Sequence, residues 1–231
     1  MKFSRLFLNR LQNPPKGRDT VVVIDVLRSF TTAAIALDRG ATAIYPVDGV
    51  LAANQLANRL DNPVTIGAVG GGDPIPGFDF GNSPSQVANA DLLGRTVVMS
   101  TAAGIRGLQR FSQARRLFAA SLANAKATAD AIATCQPEEV CFIVTGEWVD
   151  RDGDEDIACA DYLQALLSGQ NPDVEPFIER VRNSDFGRRF TADNSPNLPL
   201  ADLKLCAQAN CFNFAMQVVQ ENGRLVIRTD T

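Results

Sequence analysis

Thr20-Val-Val-Val-Ile-Asp25-Val-Leu-Arg28-Ser29 decides the fold. From Thr20 to Val26 the chain is a run of β-branched residues interrupted only by Asp25. Such a run suits a strand covered on both faces in a parallel sheet. Ser29 then stands in an N-cap position, and the residues up to Arg39 read as a helix stopped by Gly40.

Outward from this unit the pattern repeats. Residues 43–47, 64–67, 96–99, 117–120 and 140–144 read as strands. Residues 51–60, a stretch from about 105, and 124–134 and 155–167 read as helices. Alternation at this spacing predicts an α/β fold of three layers, α/β/α, with a mostly parallel sheet. Residues 169–199 are richer in Asn, Asp and Pro. They read as a cap or insertion on one domain spanning 1–231, with a short helix at 177–181. A last helix over 200–219 and a strand over 224–228 are expected to close the chain. Ligands of such sheets bind beyond the carboxyl ends of the strands.

Composition narrows the chemistry. The 231 residues are 45% hydrophobic and 21% charged, ample for a folded core. The net charge of −4 is dispersed, and no basic block points to nucleic acid. Residues 1–11 lack the apolar core of a signal peptide. No run approaches the ~20 apolar residues of a membrane helix, so neither export nor membrane insertion is expected. Five cysteines without a CxxC pair fit neither a disulfide framework nor a zinc site; buried thiols in a reducing cytoplasm are expected. Self-association stays open. There is no histidine, which excludes imidazole bases, phosphohistidine and His-ligated zinc.

Four loops, each after a strand, carry candidate chemistry. Asp25 can ligate a hard cation or act as an acid or base, and Arg28 offers a planar fork for an anion. Gly70, Gly71 and Gly72 could let backbone amides approach a ligand or could form a plain turn; Asn82 and Ser83 follow. Ser100 and Thr101 supply hydroxyls, with Arg106 beyond them. Glu155 and Asp156 open a helix, where they either complement its dipole or hold Mg²⁺. In a parallel sheet these loops share one edge and could form one pocket.

The stretches Val23-Ile-Asp-Val-Leu-Arg-Ser29, Gly77-Phe-Asp-Phe-Gly-Asn-Ser-Pro84, Ser100-Thr-Ala-Ala-Gly-Ile-Arg106 and Glu155-Asp-Ile-Ala-Cys-Ala160 together resemble the 2-phosphosulfolactate phosphatase family. The resemblance implies a Mg²⁺-dependent phosphoric monoester hydrolase acting on a small phosphorylated or sulfonated acid. It implies Asp25, Arg28, Glu155 and Asp156 as catalytic residues, with Asp25, Glu155 and Asp156 as metal ligands. The glycine loop, Asn82, Ser83, Ser100, Thr101 and Arg106 would bind substrate. The family pattern carries a Glu-Arg pair where this chain has Ala68 and Val69, and an Asn where it has Ala103. Those departures motivate an alternative: a relative that binds an anionic metabolite without hydrolysing it.

Overall fold

The computed structural model describes residues 1–13, 15, 17–192 and 195–230. The strands are β1 (Lys2–Phe7), β2 (Thr20–Ile24), β3 (Ala43–Pro46), β4 (Val64–Val69), β5 (Asp73–Pro74), β6 (Phe80–Gly81), β7 (Thr96–Ser100), β8 (Arg116–Ala120), β9 (Glu139–Val144), β10 (Met216–Glu221) and β11 (Arg224–Thr229). The helices are α1 (Ser29–Asp38), α2 (Val50–Ala57), α3 (Pro84–Val87), α4 (Gly104–Arg110), α5 (Ala125–Thr134), α6 (Asp154–Leu167), α7 (Glu175–Asn183) and α8 (Leu200–Cys206).

The strands form one sheet in the order β1-β9-β2-β8-β10-β11-β3-β7-β4-β5, with β6 beside β4. Two parallel groups, β1-β9-β2-β8 and β3-β7-β4, flank an antiparallel hairpin, β10–β11. The α/β class read from the alternation is therefore present. Residues of β2 alternate between two cores, as strand geometry requires. Val21 and Val23 join a core with α1 and α4, and Val22 and Ile24 join one with α5, α6, α7 and α8. Helices thus cover both faces of β2. Residues 29 to 37 of α1 are all buried.

Three sequence expectations differ from the structure. The helix expected over 200–219 ends at Cys206, and residues 216–221 are β10 instead. Met216 and Val218 alternate into the core while Gln217 and Val219 do not, a strand period rather than a helix period. Asn222 and Gly223 both have positive φ and make the tight turn to β11. An Asn-Gly pair between alternating residues is a strong hairpin signal. The second difference is β1, an edge strand parallel to β9 in a stretch to which the sequence reading assigned no strand. The third is the helix of residues 169–199: α7 is longer than expected, and a 3₁₀ turn at Gly187–Thr191 follows it. Positions 193 and 194 of the loose stretch lie outside the described residues. No helix among the described residues is long and apolar enough to cross a membrane.

Candidate active site

Asp25 leaves β2 and is fully enclosed. Its Oδ1 accepts the amide of Ser29 at 3.0 Å, which binds it to the first turn of α1. Its Oδ2 accepts the amide of Gly104 at 2.9 Å, at the start of α4. β8, β10, β11 and β3 separate β2 from β7 in the sheet. The shared core around α1 and α4 nevertheless brings the two strand ends to one carboxylate. A Cβ at Gly104 would lie 2.8 Å from Asp25 Oδ2 and 2.9 Å from Phe30, so only glycine leaves room there. Burial raises the Asp25 pKa, opposed by the Ser29 and Gly104 donors and by the charge of Arg151.

Asp156 ties β2 to β9. Its Oδ1 accepts the amide of Val26 at 2.9 Å, and its Oδ2 the amides of Thr145 at 3.0 Å and Gly146 at 2.7 Å. The Thr145 hydroxyl lies 3.2 Å from the same oxygen and 2.8 Å from the Ile24 carbonyl. Most of this carboxyl's accepting capacity is thus spent on backbone. Burial, then the charges of Glu155 and Asp25, hold its pKa well above the carboxylate range. Glu155 is equally enclosed but less engaged, for its Oε2 is buried without a hydrogen-bond partner among the described residues. Burial, with repulsion from Asp152 and Asp25, pushes its pKa up to about 7. Gly146 lies hard against Glu155 Oε1, and any Cβ there would collide with it.

Arg28 has a different role from the free fork read in the sequence. Its Nη1 donates to Asp202 Oδ2 at 2.7 Å and to the Asn197 carbonyl at 3.1 Å. Its Nη2 reaches the Gly72 carbonyl at 3.4 Å, and its guanidinium lies 5.6 Å from the Phe190 ring. Asp202 is wholly buried, and its Oδ1 accepts Ser83 Oγ at 2.8 Å, Ser85 N at 2.9 Å and Ser85 Oγ at 2.6 Å. Asp202 therefore joins α1, α3 and α8 at the back of the site. It lay inside the helix expected over 200–219 and was not among the candidate residues.

A cavity of about 110 Å³ reaches Asp25 and Arg28 but is not lined by Glu155, Asp156 or Asp202. It is lined by Asp25, Arg28 and Ser29 after β2, Ala68, Val69, Gly71 and Gly72 around the β4–β5 turn, and Asn82. Thr101, Ala102 and Ala103 after β7 complete the lining with Arg151 and Phe186. Asn82 Nδ2, Ser29 Oγ and Thr101 Oγ1 connect three of these loops, at 3.4 and 3.0 Å. The volume is well below the ~300–1,000 Å³ of drug-sized pockets and suits a small anion. A larger cleft of about 720 Å³ beside α5 contains the exposed pair Lys126–Asp130, already bonded at 2.9 Å.

Several expected contributors stand elsewhere. Arg106 is exposed and does not line the cavity, because α4 buries Gly104, Ile105, Gly107 and Leu108 on the other face. Ser83 spends its hydroxyl on Asp202. Ser100 is buried at the end of β7, and its neighbour Thr101 faces the cavity instead. Gly70 and Gly71 have positive φ and form a tight turn closed by Gly72 N to Val69 O at 3.0 Å. Gly72 therefore gives Arg28 its carbonyl, and its amide serves the turn. Asp79, inside the Gly-Phe-Asp motif, bonds Thr65 N and Oγ1 at 2.7 Å and fastens the motif to β4.

The family model for 2-phosphosulpholactate phosphatase matches residues 7–221, which include every one of these loops and α8. The chain belongs to this family. It is 33% identical over 219 residues to a probable 2-phosphosulfolactate phosphatase of Carboxydothermus hydrogenoformans, covering 90% of each chain. A protein of the same description from Thermoplasma volcanium is 31% identical over 206 residues, covering 89% of this chain and 91% of the other. One from Thermus thermophilus is 38% identical over 159 residues, 68% of this chain and 65% of the other. By its name the family is one of phosphoric monoester hydrolases. Its likeness covers the carboxylates of β2 and α6 and the Asn82 motif alike.

Proposed function

We propose that this protein hydrolyses the phosphate monoester of a small acid such as 2-phosphosulfolactate. The observation that carries this reading is the crowding of three buried carboxyls, Asp25, Glu155 and Asp156, of which Asp25 lines a cavity that also holds two arginines. Three mutually repelling carboxyls are costly to bury unless a cation or a reaction uses them.

Mg²⁺ is a proposal within that reading. Among the described residues no three acidic, Cys or His side chains already converge as a metal shell. Mg²⁺ does not demand one, since it keeps waters and takes one or two carboxylates plus substrate phosphate. The unpartnered Oε2 of Glu155 and the free lone pairs of Asp25 fit such a role. Asp156, bonded to three backbone amides, fits the role of holding the β2 and β9 ends together rather than a ligand's. When bound, the ion would neutralise phosphate charge and acidify water. If Asp25 rather than Glu155 held the ion, the bare Oε2 of Glu155 would suit taking a proton from the attacking water and returning it to the leaving hydroxyl. Thr101 and Asn82 suit orienting phosphate oxygens. A cytoplasmic setting accords with five unpaired thiols.

The test is phosphate release from 2-phospholactate and 2-phosphosulfolactate by the purified protein with Mg²⁺. Turnover lost in Asp25→Asn and Glu155→Gln is expected. No turnover, together with Asp25→Asn that binds ligand unchanged, would refute the reading. A second reading, binding without hydrolysis, is favoured by the apolar Ala68, Val69 and Ala103 that line the cavity. Measured wild-type turnover would end it; activity gained only on Ala68→Glu, Val69→Arg and Ala103→Asn would establish it.

A further inference from the structure

Arg151 was absent from the residues singled out by sequence, yet it lines the cavity beside Asp25. Two cations line that cavity, Arg28 and Arg151. Arg28 is committed: Asp202, Asn197 and Gly72 take its donors from the protein side. Arg151 is not. Its Nε is buried and has no hydrogen-bond partner among the described residues. The Asp150 carboxylate approaches that nitrogen only to 3.8 Å, and Arg189 holds the same carboxylate at 2.6 Å.

The surroundings hold Arg151 in position without neutralising it. It sits on a tight turn in which Trp148 and Arg151 exchange backbone bonds at 3.0 and 3.2 Å. Its guanidinium lies 5.0 Å from the Phe186 ring, a cation–π distance. An arginine fixed on an aromatic ring, with donors unsatisfied and a cavity in front of it, is preorganised for an anion. Its charge already acts on Asp25.

We propose that Arg151 and Phe186 form the subsite for the second anionic group of the substrate, the carboxylate or sulfonate beside the phosphate ester, and so set substrate specificity. This rests on the phosphatase reading for the identity of the substrate, but its binding test does not require turnover. The role is one of recognition by a charge-assisted fork, with no bond made or broken.

The probes are 3-phosphonopropionate, an unhydrolysable phosphonate with a carboxylate, and ethylphosphonate, which lacks it. Each is titrated calorimetrically with Mg²⁺ into wild type, Arg151→Gln and Arg151→Lys. Arg151→Gln is expected to weaken 3-phosphonopropionate by about tenfold or more, the scale of one charge-assisted hydrogen bond, and ethylphosphonate by less than about twofold. Arg151→Lys keeps the charge but not the fork, so it should recover part of the loss. In turnover, Arg151→Gln should raise KM for 2-phospholactate and should cost p-nitrophenyl phosphate, which carries no second anion, far less of its kcat/KM. Equal weakening of both phosphonates, or of neither, would overturn the proposal, as would a wild type that does not prefer the carboxylated probe. A wild type that prefers the carboxylated probe through Arg151 but releases no phosphate removes the hydrolase reading and leaves the subsite standing.

Discussion

Replacing Asp202 by alanine strips the back of the site of its acceptor. Arg28 and Asp202 are 3% and 0% exposed, and their 2.7 Å bond is enclosed. Removing one member of such a pair leaves a buried charge uncompensated, at a cost of about 3–5 kcal/mol. The Ser83 hydroxyl and Ser85 amide and hydroxyl lose the same acceptor. In a chain of this length each 1 kcal/mol lowers Tm by about 2–4 °C, so Asp202→Ala should melt roughly 6–20 °C below wild type. The assay is thermal and urea unfolding followed by circular dichroism. Asp202→Asn, which keeps the shape and loses the charge, should fall between. The pair Arg28→Met/Asp202→Leu leaves no buried charge and should regain most of the lost stability. It stays short of wild type by about 1 kcal/mol, because the Ser85 amide still lacks its acceptor. Turnover should stay low in that pair, since Arg28 also lines the cavity. A loss under about 1 kcal/mol for Asp202→Ala would mean that water reaches Arg28, and the reasoning from an enclosed pair would fail.

Two further outcomes follow from the carboxyl cluster. Gly104→Ala should abolish most turnover while the protein still folds, because the added methyl would meet Asp25 Oδ2 at 2.8 Å; wild-type kcat in a folded variant would contradict it. In EDTA, stability should fall as pH rises from about 5 to 8. Glu155 has a folded pKa of about 7 against an ordinary 4.5, so the folded state binds its proton more tightly. The penalty is absent below the unfolded pKa and complete above pH 7, roughly 3 kcal/mol in all. Asp25 and Asp156, also raised, act in the same direction. Glu155→Gln should flatten that slope in urea titrations across the range, and an unchanged slope would count against a buried Glu155.

Much of the molecule was legible in the chain. The run from Thr20 to Ile24 specifies a strand buried on both faces because every residue in it is apolar or β-branched, whichever core it meets. Its end at Asp25 marks a loop that carries a charge no core would accept unpaired. Local chemistry of that kind also marked Thr101, Asn82 and the Glu155–Asp156 pair. The strand at 216–221 was missed in favour of a helix over 200–219, because its short apolar run suits either element; the Asn222-Gly223 turn was the signal that could have found it.

What the tertiary structure alone decided is how these groups divide the work. Arg28 and Arg151 look alike in sequence. One is tied up by Asp202, 174 residues away along the chain, and the other, held by a turn and the ring of Phe186, keeps a donor without a partner among the described residues. Asp156 and Glu155 are neighbours, yet one is spent on the backbone just beyond β2 and β9 and the other keeps an oxygen without a partner among the described residues. Sequence determines which side chains can hold a charge or accept a proton. Which of them remain unsatisfied, and so available to a ligand, depends on long-range packing, because a hydrogen bond is short and its partner can come from anywhere in the chain.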